Sequence, residues 1–299
     1  MTPIATRIMV IAGLALVVGV IVTTRRIWIA ALGHAIPSVW RIAKITVAEA
    51  RRRRVLQAVI LLVVLILFSM TFFSYLSPQE QARMLINGGL SAITVFGILL
   101  AIFIGAFLVP NEIETRTVYA ILAKPVRRFE FLLGKYLGAM IILGAVVAIM
   151  TAVLVAVLLI QDHLVKDQAD SVFNPNLGAV IFSAVMSYCA LGVLTSLILL
   201  VSTISSPTMT VISAFLIWAV GSLQSTLHTL ADHASGATRL LLLVLYTVLP
   251  KLENFDFRVE ASNFLAMSLP AAINAVIYGI GYTIVVLVLA SVFFSDRQV

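Results

Sequence analysis

The run SVFNPNLGAVIFSAVMSYCALGVLTSLILLVSTISSPTMTVISAFLIWAVGSLQSTLHTLA, residues 171–231, contains no Asp, Glu, Lys or Arg. About 20 apolar residues carry a helix across ~30 Å of hydrocarbon, so this run holds two crossings. The break falls at Ser205-Ser206-Pro207, because proline disfavours helix in the residue before it. Spans are therefore expected near 178–203 and 208–230. The other charge-free windows give spans near 8–24, 55–77, 85–109, 136–160 and 268–294. Ser268 and Pro270 suit the cap and first turn of the last one. Leu240 to Leu249 is apolar but too short to cross, and reads as a re-entrant, interfacial or buried helix.

Composition agrees with this reading. Of 299 residues, 62% are hydrophobic and only 11% charged. A soluble domain carries about 25% charged residues, so a soluble globular enzyme is excluded, as are a disordered chain and a disulfide scaffold. The single cysteine, Cys189, rules out an internal disulfide and a multi-cysteine metal site. The expected fold is all-α: a polytopic transmembrane bundle of six core spans plus one extra N-terminal span.

The net charge of +7 matters less than where the basic residues fall. Seven spans put Arg25, Arg26, Arg41, Lys44 and Arg51, Arg52, Arg53 and Arg54 on one side. Arg116, Lys124, Arg127, Arg128, Lys135 and Arg297 join them there. Arg83, Lys166, Arg239, Lys251 and Arg258 fall on the other side. The positive-inside rule makes the first side cytoplasmic, with the C-terminus inside. Residues 1–36 form an extension in which a retained span is favoured over a cleaved signal peptide. Thr23-Thr24-Arg25-Arg26 is a poor cleavage context, and cleavage would not explain the basic residues that follow.

Residues 38–54 read as an interfacial amphipathic helix beginning after Pro37. Val39, Ile42, Ile45 and Ala48 share its apolar face, and Arg51 to Arg54 act as a topology anchor. The segment 110–135, PNEIETRTVYAILAKPVRRFEFLLGK, is the long polar stretch in the middle of the cytoplasmic side. Asn111 caps a short helix, Glu112 and Glu114 lie in its first turn, and Lys124 and Pro125 end it. Ile113, Thr117 and Ile121 make an apolar stripe. Periodicity alone supports equally a helix docked in a soluble partner and one lying flat on the membrane.

The run Glu112-x-Glu114-x-Arg116-Thr117, then Lys124-Pro125-x-Arg127-Arg128, then Phe131-Leu132-Leu133-Gly134-Lys135-Tyr136 resembles the coupling region of ABC type-2 transporter permeases. Among these it looks most like the branch linked to maturation of copper enzymes, and Leu249-Pro250-x-Leu252-x-Asn254-Phe255 shares that likeness. The resemblance covers about 40–299. It implies an ABC type-2 transmembrane domain over 37–299, with an elbow helix at 38–54, a coupling segment at 110–135 and an outer loop at 231–265. It also implies a non-catalytic subunit of an exporter in the cytoplasmic (inner) membrane. That subunit would work with a second permease copy and with cytoplasmic ATPase subunits holding ATP and Mg. Asn111, Glu112, Glu114, Arg116, Thr117, Lys124, Pro125, Arg127, Arg128, Gly134 and Lys135 would then belong to the ATPase-coupling region.

The chain has no G-x-x-x-x-G-K-[ST] loop. Gly134-Lys135 precedes Tyr136 and lacks that spacing, so no catalytic, cofactor or metal residues are assigned. His228 and His233 with Asp232 read as a polar boundary cluster, since i, i+5 does not put two ligands on one helical face. The methionines are scattered and read as packing. Gly134 and Gly138 form a G-x-x-x-G that permits close helix approach, within the chain or between copies. Every assigned span lacks a charge, which argues against an ion-coupled carrier. The competing reading is a non-transporting membrane scaffold for a respiratory copper enzyme.

Overall fold

The computed structural model describes residues 38–49, 61, 62, 65, 78–108, 128–166, 176–233 and 236–296. Every regular element among them is helical. We number the helices α1 (38–49), α2 (Pro78–Leu108), α3 (Arg128–Lys166), α4 (Leu177–Ile204) and α5 (Pro207–Gly221). They continue with α6 (Gln224–His233), α7 (Gly236–Val248), α8 (Arg258–Ser262) and α9 (Leu269–Asp296). A 3-10 turn, Leu252–Phe255, precedes α8.

Four of these helices are long and apolar enough to cross a membrane, within Glu80–Ala106, Phe129–Gln161, Leu177–Ile204 and Leu269–Phe294. Counting α5 and α6 as one broken span makes five. The chain is therefore a multi-pass membrane protein. The expected spans 8–24 and 55–77 lie outside the described residues, apart from helical positions 61, 62 and 65.

The expected break at Ser205-Ser206-Pro207 is where α4 ends and α5 begins. Ser206 is the N-cap of α5 and Pro207 opens its first turn. The Asn176 side chain caps the other end of α4 by accepting from the Ala179 amide at 3.1 Å. Two boundaries are wider than charge alone suggests. α2 begins at Pro78, with Glu80 and Arg83 paired at 3.3 Å in its first turns. α3 begins at Arg128, so the end of the 110–135 segment is already helical.

The expected continuous span 208–230 is instead broken. α5 stops at Gly221 and α6 leaves at 70°. The returning chain packs closely against this point. A side chain at Gly221 would meet the Pro250 carbonyl at 3.1 Å and Leu252 at 3.3 Å. α6 then starts from a borrowed cap. The Glu253 carboxylate accepts from the Ser225 backbone N–H and hydroxyl, each at 3.0 Å. An acid at a helix N-terminus satisfies otherwise orphaned N–H groups.

The core lies among α2, α3 and α4, where Leu90, Ile93, Leu143, Leu154 and Ile198 are buried together. α7 packs on α6, with the His228 and Tyr246 rings 5.3 Å apart. The segment after α7 does not ride above the bundle. The Arg258 guanidinium donates to Ser91 Oγ at 3.0 Å. Ser91 lies thirteen residues into α2, roughly 20 Å from its start at 1.5 Å per residue. Phe255 is buried against Val193 of α4 and Ala275 of α9. The Tyr282 hydroxyl, mid-way along α9, donates to the Val248 carbonyl at 2.9 Å. Residues 248–258 thus enter the helix bundle from the end opposite the α2–α3 connection.

Candidate functional site at the elbow and the start of α3

α1 lies against the first turns of α3. Its buried positions are Val39, Ile42, Ala43 and Thr46, while Ile45 is 55% exposed. This corrects the expected face of Val39, Ile42, Ile45 and Ala48. The helix is rotated so that Ile42 and Thr46 fit the surface left by Gly134 and Gly138. A Cβ on Gly134 would lie 2.7 Å from Ile42 Cβ and 3.0 Å from the Val39 carbonyl oxygen. A Cβ on Gly138 would lie 2.6 Å from Thr46 Cβ and 3.1 Å from the Ala43 oxygen. The G-x-x-x-G therefore serves a contact within the chain. The Thr46 hydroxyl is turned back to the Ile42 carbonyl at 3.0 Å, which leaves its methyl-bearing Cβ to the contact.

Polar groups lock the start of the same interface. The Ser38 hydroxyl donates to Glu130 Oε2 at 2.7 Å. Both residues are buried, and a charge-assisted bond away from water holds its geometry well. Lys135 is 1% exposed, with its ammonium 5.7 Å from the centre of the Phe131 ring. Phe131 stacks on Phe294 with ring centres 5.9 Å apart. Ile42, Phe131, Leu132, Leu199, Ala290 and Phe294 form one buried cluster. It ties α1 and the start of α3 to the last turns of α4 and α9.

Of the residues expected in the coupling region, Asn111, Glu112, Glu114, Arg116, Thr117, Lys124, Pro125 and Arg127 lie outside the described residues. So do the anchor residues Arg51 to Arg54. Arg128 is the first residue of α3. Gly134 and Lys135 are buried in α3, and Gly134 abuts α1. The segment 109–127 thus connects α2 to the point where four helices are clamped. Sequence reasoning missed Ser38, Thr46, Phe294 and Glu130 as members of this junction. The phase of Ser38, Ile42 and Thr46 on α1, read against Gly134 and Gly138, was the available signal.

The two histidines of α6 do other work. His228 pairs with Asp232 at 3.2 Å, and His233 contacts the Thr229 carbonyl at 2.9 Å. Both pairs are i, i+4 contacts along α6.

A family model described as ABC-2 family transporter protein matches residues 40–299. Compared against curated proteins, the chain matches none.

Proposed function

The chain belongs to the ABC-2 transporter family, and from that premise we propose that this permease subunit works in an exporter driven by separate cytoplasmic ATPase subunits. It would pair with a second permease, identical or not. The full count of spans is then seven, with the C-terminus cytoplasmic and the protein in the inner membrane. The observation that carries this reading is the clamp of α1 on α3, placed directly after the segment whose motif resembles a coupling helix. A push on 110–127 reaches Arg128, and the buried cluster passes it to α4 and α9 as a rigid-body shift. Gly134 and Lys135 belong to that transmission, while Glu112, Glu114 and Arg116 are the residues proposed to touch the ATPase. ATP and Mg are held by the partner, and binding energy rather than chemistry in this chain moves the helices.

The test is reconstitution with the candidate ATPase after changing Glu112 and Glu114 to Arg. Weakened pull-down and lost ATP-dependent transport are expected. Intact assembly and transport would refute the reading. The likeness to the copper-enzyme branch supplies a competing role as a non-transporting scaffold. That role predicts a stable complex with the maturing enzyme and no ATPase stimulation.

A further inference from the structure

A cavity of about 160 Å³ opens where residues 252–258 enter the bundle. Thr94, Ile98, Leu191, Leu194 and Trp218 line it from the helices. Ser222 and, from the entering segment, Glu253, Asp256 and Arg258 line it as well. Its α4 wall runs from Ser187 to Leu194, roughly 15–25 Å along that helix from Leu177. That is well inside a hydrocarbon layer of about 30 Å. Non-helical backbone and ionisable groups at such depth are tolerated where they line a polar cavity, and they mark ligand sites. A broken span beside the cavity, here α5 with α6, is a recurrent way to build one.

The charges select the ligand. Arg258 is neutralised. It donates through Nε to Asp256 Oδ1 at 2.7 Å, through Nη2 to Oδ2 at 2.5 Å, and through Nη1 to Ser91. Among the described residues Glu253 has no cationic partner, and Lys251 nearby donates to Tyr246 instead. Ser225 orients the Glu253 carboxylate and takes two of its roughly four acceptor positions. Of the two carboxylates in the lining, Asp256 is thus matched by Arg258 and Glu253 is not, and Glu253 stands beside the aromatic residues Trp218 and Phe255, whose ring faces favour cations. A cavity of about 150 Å³ accommodates a benzene-sized group.

We propose that this cavity binds a small organic ammonium ion, with its N–H donors on Glu253 and its apolar body against Leu191, Leu194 and Trp218. Its meaning as a cargo site rests on the permease reading, but the binding itself requires no ATPase. The ammonium belongs either to a free amine or to an aminophospholipid headgroup.

The test uses the full chain in phosphatidylcholine nanodiscs, with benzylammonium as probe and benzyl alcohol and benzoate as its neutral and anionic counterparts. Binding is read by equilibrium dialysis against empty nanodiscs. Saturable binding of benzylammonium is expected, with Glu253→Gln weakening it about tenfold to a hundredfold, as loss of a charge-assisted hydrogen bond does. Competition when phosphatidylethanolamine is added assigns the lipid headgroup, and its absence assigns a free amine. Should Glu253→Gln fail to fold, Ala190→Leu, which fills the cavity and leaves Glu253 in place, is expected to remove binding. Equal binding of all three probes, or unchanged affinity in a folded variant, overturns the proposal. Neither result would touch ATPase docking, which the Glu112 and Glu114 variants test separately.

Discussion

Gly138 shows how one missing side chain sets an interface. The nearest obstacles to a Cβ there include a backbone oxygen and the branched Cβ of Thr46, neither of which swings aside. Gly138→Leu is therefore expected to lever α1 off α3 and to cost about 1–3 kcal/mol by overpacking. Thermal unfolding of the purified protein checks this. Gly281, which has nothing within 4 Å of its would-be Cβ, is the control and should tolerate alanine. A second residue-scale prediction concerns Asp256, the partner of Arg258 across a contact about one-third exposed. Asp256→Asn leaves the guanidinium with Ser91 and is expected to lower stability by about 1–2 kcal/mol, less than for a fully buried pair. The exchanged pair Asp256→Arg with Arg258→Asp should recover part of that loss in the same melting experiment. Gly134 and Gly138 were legible in the sequence as a close-approach motif. Their partner was not, because a glycine pair does not say which helix will fill it.

Among the elements, α4 and α5 were the most readable. Their boundary depends on local chemistry: a serine cap, a proline at the first turn and apolar runs on both sides. The end of α5 was not readable. Gly221-Ser222 is a local weak point, but the contacts that accompany the bend come from outside 208–230: the Pro250 carbonyl lies against Gly221, and Glu253 caps α6 from 28 residues away. The phase of α1 was missed for a related reason. Ile45 and Ala48 are as apolar as Val39, but only the face matching Gly134 and Gly138 packs on protein. In a membrane an exposed Ile45 loses little, since lipid is as apolar as the core it would otherwise join.

For the whole molecule, the proposed mechanism depends on sidedness. Single cysteines placed at 115 and at 254 in a Cys189→Ala background, labelled in intact cells and in lysates, check it. Position 254 is expected to react with a membrane-impermeant maleimide in intact cells. Position 115 should react only after lysis. The reverse pattern would remove the coupling segment from the cytoplasm and with it the proposed mechanism.

The sequence by itself determined that the chain is a helical membrane protein, roughly where the long helices α2, α3, α4 and α9 lie and which family it resembles. Those properties depend on local hydropathy, charge and short motifs that each residue carries wherever it folds. Only the tertiary structure decided that Arg258 reaches Ser91 of α2 and that Glu253 caps α6. A charged stretch between two spans looks the same in sequence whether water or Ser91, 167 residues away, will receive its guanidinium.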